Sequence, residues 1–510
     1  MRVTVRVDAG PLIGGGHAMR CLTLADALAE HGADVTFVAA AMPDAIAERI
    51  AASGHTLIRI PASPELDREG EHWHERLLSD EAQRADVEAT GTAGPADWLI
   101  VDHYLLDARW HSASRRFADR LLVIDDLANR ECDCDFLLDQ TLGRESRDYD
   151  GLLPSAARRL IGAQYALLRP EFAQERIAAL QRRRAGGKPR RLLISLGTTD
   201  PGEVTGIILE QVLEAAPACS IDVVLGPQAA SADRVQRLAR GNPRVSVHVA
   251  STRMAELMRD ADIAIGAAGV TSWERCCLGV SSVVLVLAKN QRLGATALSQ
   301  AGAAVIADRA EDIGEMLRSL VDDALELSRM SAAAFAITDG QGTDRAVRAL
   351  FRETEETGIA ISLRAATADD AELLWLWRND PLTRFQSRNS APIAWSDHAR
   401  WFTGSLSSSA TRVLIAERNG IPAGVVRFDQ HGADCEVSIT VAPGLRGSGI
   451  GRHMLRAACE QTTNLFAVVR DGNQASRRLF ESCGFTAACG DGAGFRRYVL
   501  EQPEFQRNRA

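Results

Sequence analysis

Three consecutive glycines, Gly14 to Gly16, lead straight into a histidine, His17, where an alternating run of valines gives way to residues spaced as on a helix. A glycine turn between strand and helix lets the backbone approach a ligand closely, and a helix start offers unpaired N–H groups to an anion. His17 falls in that first turn, where the positive end of the helix dipole favours the neutral ring, able to take a proton near pH 7. From spacing alone it is either a general base or a residue that caps and packs the helix. The dinucleotide fingerprint is not met, because its third glycine position is Met19 and no acidic residue closes the second strand, which argues against NAD. A second glycine turn, with Arg446, Gly447, Gly449 and Gly451, lies between an alternating strand and the apolar helical pair Met454 and Leu455. Backbone amides in such a turn can cradle a pyrophosphate.

Elements must hold these residues in place. Val3, Val5 and Val7 alternate with polar neighbours as a strand does; Met19, Leu22, Ala25 and Leu28 recur at helical spacing; Gly32 ends that run and DVTFVAA reads as a second strand. The pattern continues through DWLIVDHYLLD and RLLVIDDLA, short apolar strands that end in acidic residues, as in an open parallel sheet. A basic stretch, QRRRAGGKPRR, near residues 181–191, reads as a linker. Strand and turn then restart at LLISLGTTDP, followed by IDVVLG, VSVHVA, ADIAIGAAG and SVVLVLA at helix-length intervals. Two such domains in tandem commonly bind a ligand in the crevice at the carboxyl ends of their strands. Past the acidic run FRETEETG, tryptophans at 375, 377, 395 and 401 mark a third domain whose later part reads as antiparallel strands. The expected domains are 1–181, which carries His17, then 190–345, then 359–502.

A chain of 510 residues exceeds what one core organises, and its 46% apolar and 25% charged residues are those of a soluble globular protein. The net charge of -9 disfavours a nucleic-acid binder while leaving room for a local basic cleft that takes an anionic small molecule. Ten dispersed cysteines frame no zinc site and read as reduced thiols. A strand that begins at Met1 leaves no room for a signal segment, and no apolar run approaches a span, so the expectation is a cytoplasmic protein without membrane contact.

The segments IGGGHAMRCLTLADAL, IVDHYLLD, VIDDLANRECDCDFLLDQ, YALLRPEF, SLGTTDP, ADIAIGAAGVTSWE and LAKNQ together resemble, in order over roughly residues 1–345, the UDP-2,4-diacetamido-2,4,6-trideoxy-β-L-altropyranose hydrolases of pseudaminic acid biosynthesis. The resemblance implies an α/β fold with two Rossmann-like domains in a GT-B arrangement, the second binding UDP. It implies metal-free hydrolysis at the anomeric carbon, releasing UDP and the free 6-deoxy sugar. His17 would be the base that activates water, with Asp8 and Arg20 supporting it, Gly16 in the substrate loop, and Tyr104 orienting the water or the sugar. Arg169 would meet the sugar or the diphosphate, since a planar guanidinium suits oxygen pairs. Gly269 and Thr271 would receive the diphosphate, Glu274 would hold the ribose hydroxyls, and the amides of Asn290 and Gln291 would bond the sugar's acetamido or hydroxyl groups. Two positions depart from the family: Thr198 where a second glycine is common, and Asp139 where asparagine is common.

Residues 359–500 resemble the GCN5-related N-acetyltransferases in their opening LRAATADDAELLWLWRNDP, their glycine segment and their closing VVRDGNQASRRLFESCGF. The resemblance implies a GNAT α+β domain that binds acetyl-CoA through Arg446, Gly447, Gly449, Gly451 and Asn473. Phe480 stands where many members carry a tyrosine that protonates the departing CoA thiolate, a step phenylalanine cannot perform. Tyr498 or water takes that role, or the module binds acetyl-CoA with weakened turnover. Glu436 is a candidate proton acceptor for the amine, or else a surface carboxylate. In the same route an acetyltransferase of this superfamily acylates the 4-amino group of a UDP-linked amino sugar, so the fusion would carry consecutive steps. The alternatives are a GT-B glycosyltransferase with a UDP-sugar donor, and a protein that binds nucleotide sugar and acetyl-CoA without turnover.

Overall fold

The structure is a computed structural model and describes residues 1–10, 13–67, 76–185, 187–197, 200–227, 229–351, 361–418, 421–446, 449–460, 462, 464–490 and 494–500. The chain forms two compact units, Met1–Leu350 and Phe351–Ala510.

Among the described residues, the first unit holds two parallel sheets. One contains β1 (Arg2–Val7), β2 (Asp34–Ala39), β3 (Thr56–Arg59), β4 (Ala96–Asp102), β5 (Ala118–Ile124), β6 (Phe136–Asp139) and β7 (Arg158–Ile161), in the order β3-β2-β1-β4-β5-β6-β7. The alternation in β1 suggests one wet face, yet Thr4 and Arg6 are buried as fully as the valines. Helices cover both faces of a parallel sheet, so a polar residue on it needs an internal partner. Arg6 finds two, Asp8 at 2.7 Å and Asp86 at 2.6 Å. The helix Gly16–Glu30 begins at the third glycine, and Gly14, at φ +77°, makes the reversal from β1 that an L side chain would strain.

The second sheet contains β8 (Arg191–Ser195), β9 (Ser220–Leu225), β10 (Val245–Val249), β11 (Ile263–Ala267), β12 (Ser281–Leu285) and β13 (Ala304–Ala307), in the order β10-β9-β8-β11-β12-β13. In both sheets the strand order reverses direction beside the first strand, between β1 and β4 and between β8 and β11. Loops leaving the carboxyl ends there diverge and open a crevice. The basic stretch read as a linker from residue 181 is helical as far as Ala185, within the helix Pro170–Ala185. Its arginines are tied down: Arg182 bonds Asp262 at 2.8 Å, and Arg183 donates to the carbonyls of Gly279 and Met258. The helix Gly342–Phe351 returns to the first sheet's side, where the Thr343 hydroxyl donates to the Leu168 carbonyl at 2.9 Å.

The second unit is built on one mixed sheet of β14 (Ile361–Ala365), β15 (Thr411–Arg418), β16 (Ile421–His431), β17 (Asp434–Val441), β18 (Leu465–Arg470), β19 (Phe485–Gly490) and β20 (Phe495–Leu500), ordered β14-β15-β16-β17-β18-β20-β19. Its ladders are antiparallel, as the sequence suggests, except that β17 and β18 run parallel. The helix Ile450–Cys459 is the crossover that a parallel pair requires. Among the described residues no helix is long and apolar enough to cross a membrane.

Candidate functional site

His17 is the second residue of its helix, at the carboxyl end of the first sheet. Its Nδ1 lies 2.6 Å from Oδ1 of Asp102, the last residue of β4. Arg20, one turn along the helix, grips the same carboxylate with two donors, Nε at 2.6 Å and Nη2 at 2.7 Å, and reaches Asp126 at 3.2 Å. Burial alone would raise the Asp102 carboxyl, but Arg20 and His17 outweigh it and hold it well below the usual carboxylate range. An ionised carboxylate only accepts, so Nδ1 carries a proton, and in the neutral ring the lone pair is on Nε2. The 3.0 Å approach of Arg20 Nη2 to Nδ1 is then a contact between two donors that share Asp102. Tyr104 sits edge-on to the imidazole, centroids 4.7 Å apart. Burial and the neighbouring Asp126 push its hydroxyl well above the usual phenol range.

Asp8, expected beside His17, belongs to another group. It accepts from both terminal nitrogens of Arg6, from His103 at 3.0 Å and from the backbone of Ala40 at 2.7 Å, so it braces the strand ends rather than the imidazole. The carboxylate that does meet His17, Asp102, carries a signal in the sequence as the acidic end of an apolar strand, but nothing local tells it from Asp125 or Asp126 in the same kind of position.

The turns of the second sheet close on this site. A Cβ placed on Gly16 would lie 3.6 Å from Val270, between the expected diphosphate residues Gly269 and Thr271. Asn290 donates from Nδ2 to the Tyr104 hydroxyl at 3.2 Å, so that phenol is held from both sheets. Gln291 instead turns inward, its amide oxygen accepting from the Leu287 backbone at 3.1 Å. Space is open above Gly269, where a Cβ would meet nothing within 4 Å. The Thr271 hydroxyl accepts from Arg275 at 3.2 Å. Arg169 pairs with Glu171 at 2.9 Å and approaches Glu274 at 3.8 Å, which brings two expected ligand residues together as a charge pair. Burial pushes the Glu274 carboxyl up, against the pull of Arg169 and Arg275. Thr198 lies outside the described residues.

Asp125 and Asp126 follow β5 directly, and β6 ends in Asp139. The Tyr149 hydroxyl lies 2.8 Å from Asp125 and 2.9 Å from Asp139, and Arg144 bonds Asp139 at 2.9 Å. Among the described residues no group of three or more His, Cys, Asp or Glu is placed to hold a metal ion.

In the second unit Gly449 takes φ +80° at the start of the helix Ile450–Cys459. Gly451 is packed, since a Cβ there would lie 3.2 Å from Val441 and 3.3 Å from Leu479. Gly447 lies outside the described residues. Arg446 does not face the turn: its guanidinium bonds Asp380 at 2.7 Å. Asn473 caps the helix Gln474–Ser482 by accepting from the Ser476 backbone at 3.1 Å. β17 and β18 pair only at Cys435–Leu465 and Glu436–Phe466. Phe480 is buried against Tyr498, whose hydroxyl accepts from Arg477 at 3.0 Å and donates to Glu481 at 3.4 Å. Glu436 lies 3.6 Å from His431.

Comparison with known proteins matches residues 209–343 to the glycosyltransferase family 28 C-terminal domain and residues 361–486 to the acetyltransferase (GNAT) domain. An uncharacterized protein of Methanocaldococcus jannaschii is 23% identical over 511 residues, 95% of this chain and 96% of that one. The UDP-2,4-diacetamido-2,4,6-trideoxy-beta-L-altropyranose hydrolase of Campylobacter jejuni is 25% identical over 303 residues, 59% of this chain and 97% of the hydrolase. Among solved structures, MurG of Acinetobacter baumannii aligns with 69% of this chain and 99% of its own at 15% identity, with a TM-score of 0.47.

Proposed function

We propose that this chain, which joins a GT-B region with a glycosyltransferase family 28 C-terminal domain to a GNAT acetyltransferase domain, performs two consecutive steps on a UDP-linked amino sugar. The second unit transfers an acetyl group from acetyl-CoA to the 4-amino group of the UDP-4-amino sugar. The first unit then hydrolyses the product, UDP-2,4-diacetamido-2,4,6-trideoxy-β-L-altropyranose, to UDP and the free sugar. The pair His17–Asp102, set where the turns of two sheets meet, carries this reading. The alignment with nearly the whole Campylobacter hydrolase supports the substrate class.

In this reading Asp102 holds the Nδ1 proton and leaves Nε2 as the base. A water beside Nε2 gives up a proton as its oxygen attacks C1 of the sugar. The bond from C1 to the diphosphate oxygen breaks, and its electron pair leaves on UDP. Asp102, kept ionised by Arg20, stabilises the imidazolium that forms. Proton transfer of this kind contributes roughly 10²–10⁴ in rate. Tyr104 orients the water or sugar, and the turn at Gly269 and Thr271 meets the diphosphate. In the second unit the amine attacks the thioester carbonyl, the C–S bond breaks with its electron pair left on the CoA sulfur, and the proton that the nitrogen loses passes through water to that thiolate. Tyr498 is engaged by Arg477 and Glu481, so water protonates the CoA thiolate.

The test supplies UDP-4-amino-4,6-dideoxy-N-acetyl-β-L-altrosamine with and without acetyl-CoA and follows UDP release and sugar mass. Acetylation is expected to precede release, and His17→Ala is expected to lower release by roughly 10²–10⁴ while acetylation continues. Asp102→Asn should follow His17→Ala in direction. No UDP release from the pre-acetylated sugar would remove the hydrolase and favour a transferase that needs another acceptor. Binding of both ligands without turnover would favour a non-catalytic role.

A further inference from the structure

One guanidinium serves two carboxylates beside His17. Arg20 holds Asp102 with Nε and Nη2 and gives its third nitrogen, Nη1, to Oδ2 of Asp126 at 3.2 Å. Asp102 steadies the imidazole, whereas Asp126 has no part in the proton transfer. Its backbone is fixed, because Arg144 donates to its carbonyl at 2.8 Å. Its second carboxylate oxygen, Oδ1, is buried and has no hydrogen-bond partner among the described residues. The neighbouring Asp125 is the contrast, since it accepts from Arg130 at 2.7 Å, from Tyr149 at 2.8 Å and from the Ala128 backbone at 2.8 Å. A buried acceptor left over in this way costs free energy unless a donor turns to it.

The donor at hand is the phenol of Tyr104. Burial and then the charge of Asp126 push its hydroxyl well above the usual phenol range, which puts the two groups within reach of each other. Asn290 donates from Nδ2 to the same hydroxyl at 3.2 Å. A hydroxyl oxygen has one hydrogen to give and two lone pairs, of which Asn290 takes one. The hydrogen rotates about the C–O bond and goes to the carboxylate before any neutral acceptor, because a charged partner makes the stronger bond. Tyr104, edge-on to the imidazole with centroids 4.7 Å apart, is then left with one lone pair and no proton to offer.

We propose that Asp126 is a positioning residue, which takes the hydroxyl hydrogen of Tyr104 and so makes this phenol an acceptor for the attacking water. This role rests on the hydrolase reading of the site. The water donates one hydrogen to the Tyr104 oxygen and the other to Nε2 of His17, which turns its own lone pair toward C1. As the water oxygen bonds C1, the proton on the Nε2 side passes to the imidazole, and the bond from C1 to the diphosphate oxygen breaks with its electron pair leaving on UDP. The hydrogen on the Tyr104 side stays with the hydroxyl of the free sugar. Asp126 acts through the phenol alone.

The experiment is a double-mutant cycle in the full-length protein, following UDP release from UDP-2,4-diacetamido-2,4,6-trideoxy-β-L-altropyranose. Asp126→Asn keeps the shape of the side chain, but its amide can donate where the carboxylate only accepts. In Asp126→Asn and in Tyr104→Phe, kcat is expected to fall by roughly tenfold to a hundredfold with KM held to within about twofold. The double variant is expected to match Tyr104→Phe to within about twofold, since without the hydroxyl there is nothing for Asp126 to direct. Losses that multiply would overturn the proposal and leave the hydrolase reading standing, because a carboxylate that merely holds Arg20 or the strand end does so with or without the phenol. An unchanged kcat in either single variant, or a rise in KM alone, would overturn it as well. If Asp126→Asn does not fold, Asp126→Glu, which keeps the charge and displaces the acceptor, goes through the same cycle and is read by the same outcomes. Wild-type protein that binds the sugar nucleotide yet releases no UDP would remove the hydrolase reading, and the proposal with it.

Discussion

Asp139 shows what a single carboxyl costs at the end of a buried strand. Burial, opposed by Thr141 and reinforced by Asp126 and Asp125, pushes it up to about 6. The Tyr149 hydroxyl touches both Asp125 and Asp139 and has one proton to give, so a second proton is needed between them, while Arg144, 2.9 Å from Asp139, pulls the other way. With Asp139 protonated, Tyr149 donates to Asp125 and accepts from Asp139. The folded state therefore keeps a proton that the unfolded chain releases near pH 4. Stability from this group is fully present below that pH and lost as pH rises through 6, by up to about 3 kcal/mol. Asp139→Asn, a permanent stand-in for the protonated acid, should flatten this dependence. Urea unfolding of both proteins at pH 4, 5, 6 and 7 checks it, and a difference between them that stays constant with pH would refute the assignment. At this scale the sequence revealed His17, Arg20 and Tyr104 as residues that come together, while Asp102 escaped it. Its partner is 85 residues away, and choosing among three strand-end aspartates needs the sheet order.

Elements were more legible than side-chain orientations. Glycine turns and valine-rich runs marked β1, β2, β4 and β5 of the first sheet and β8 to β12 of the second, but not the four-residue strands β3, β6, β7 and β13, which are too short to show a pattern of their own. The parallel pairing of β17 with β18 was missed, since strand direction depends on the crossover and not on the strand's own residues. Arg446 and Asn473 were read as ligand groups from their motif, but their side chains bond Asp380 and cap a helix. The return helix Gly342–Phe351 was hidden because its role lies in what it touches. A Cβ on Gly342 would collide with the backbone of Ala166, so Gly342→Ala should destabilise the first unit by about 3 kcal/mol. Gly404, exposed in the helix Trp395–Leu406 with nothing within 4 Å of its Cβ position, predicts the opposite sign, a gain of about 0.5–1 kcal/mol for Gly404→Ala. Chemical denaturation of the two variants should separate them, and equal effects would show that the close approach at Gly342 is not felt.

At the scale of the molecule, the first compact unit holds two sheets and the second one, each unit with its own buried residues. Each should therefore report its own ligand in calorimetry of the full chain. UDP at a hundred times its dissociation constant is expected to stabilise the transition of the first unit by about 2.7 kcal/mol, and acetyl-CoA that of the second by a similar amount. A ligand that moves the other unit's transition would reverse the assignment. Within the first unit, the phenol gripped by Asn290 and lying edge-on to His17 links the chemistry to the posture of the two sheets. Were the two sheets to part, Tyr104 would lose its bond from Asn290, and the imidazole a steadied neighbour. On the hydrolase reading, an open protein is an idle one, and a sugar nucleotide only half seated is not squandered on stray water.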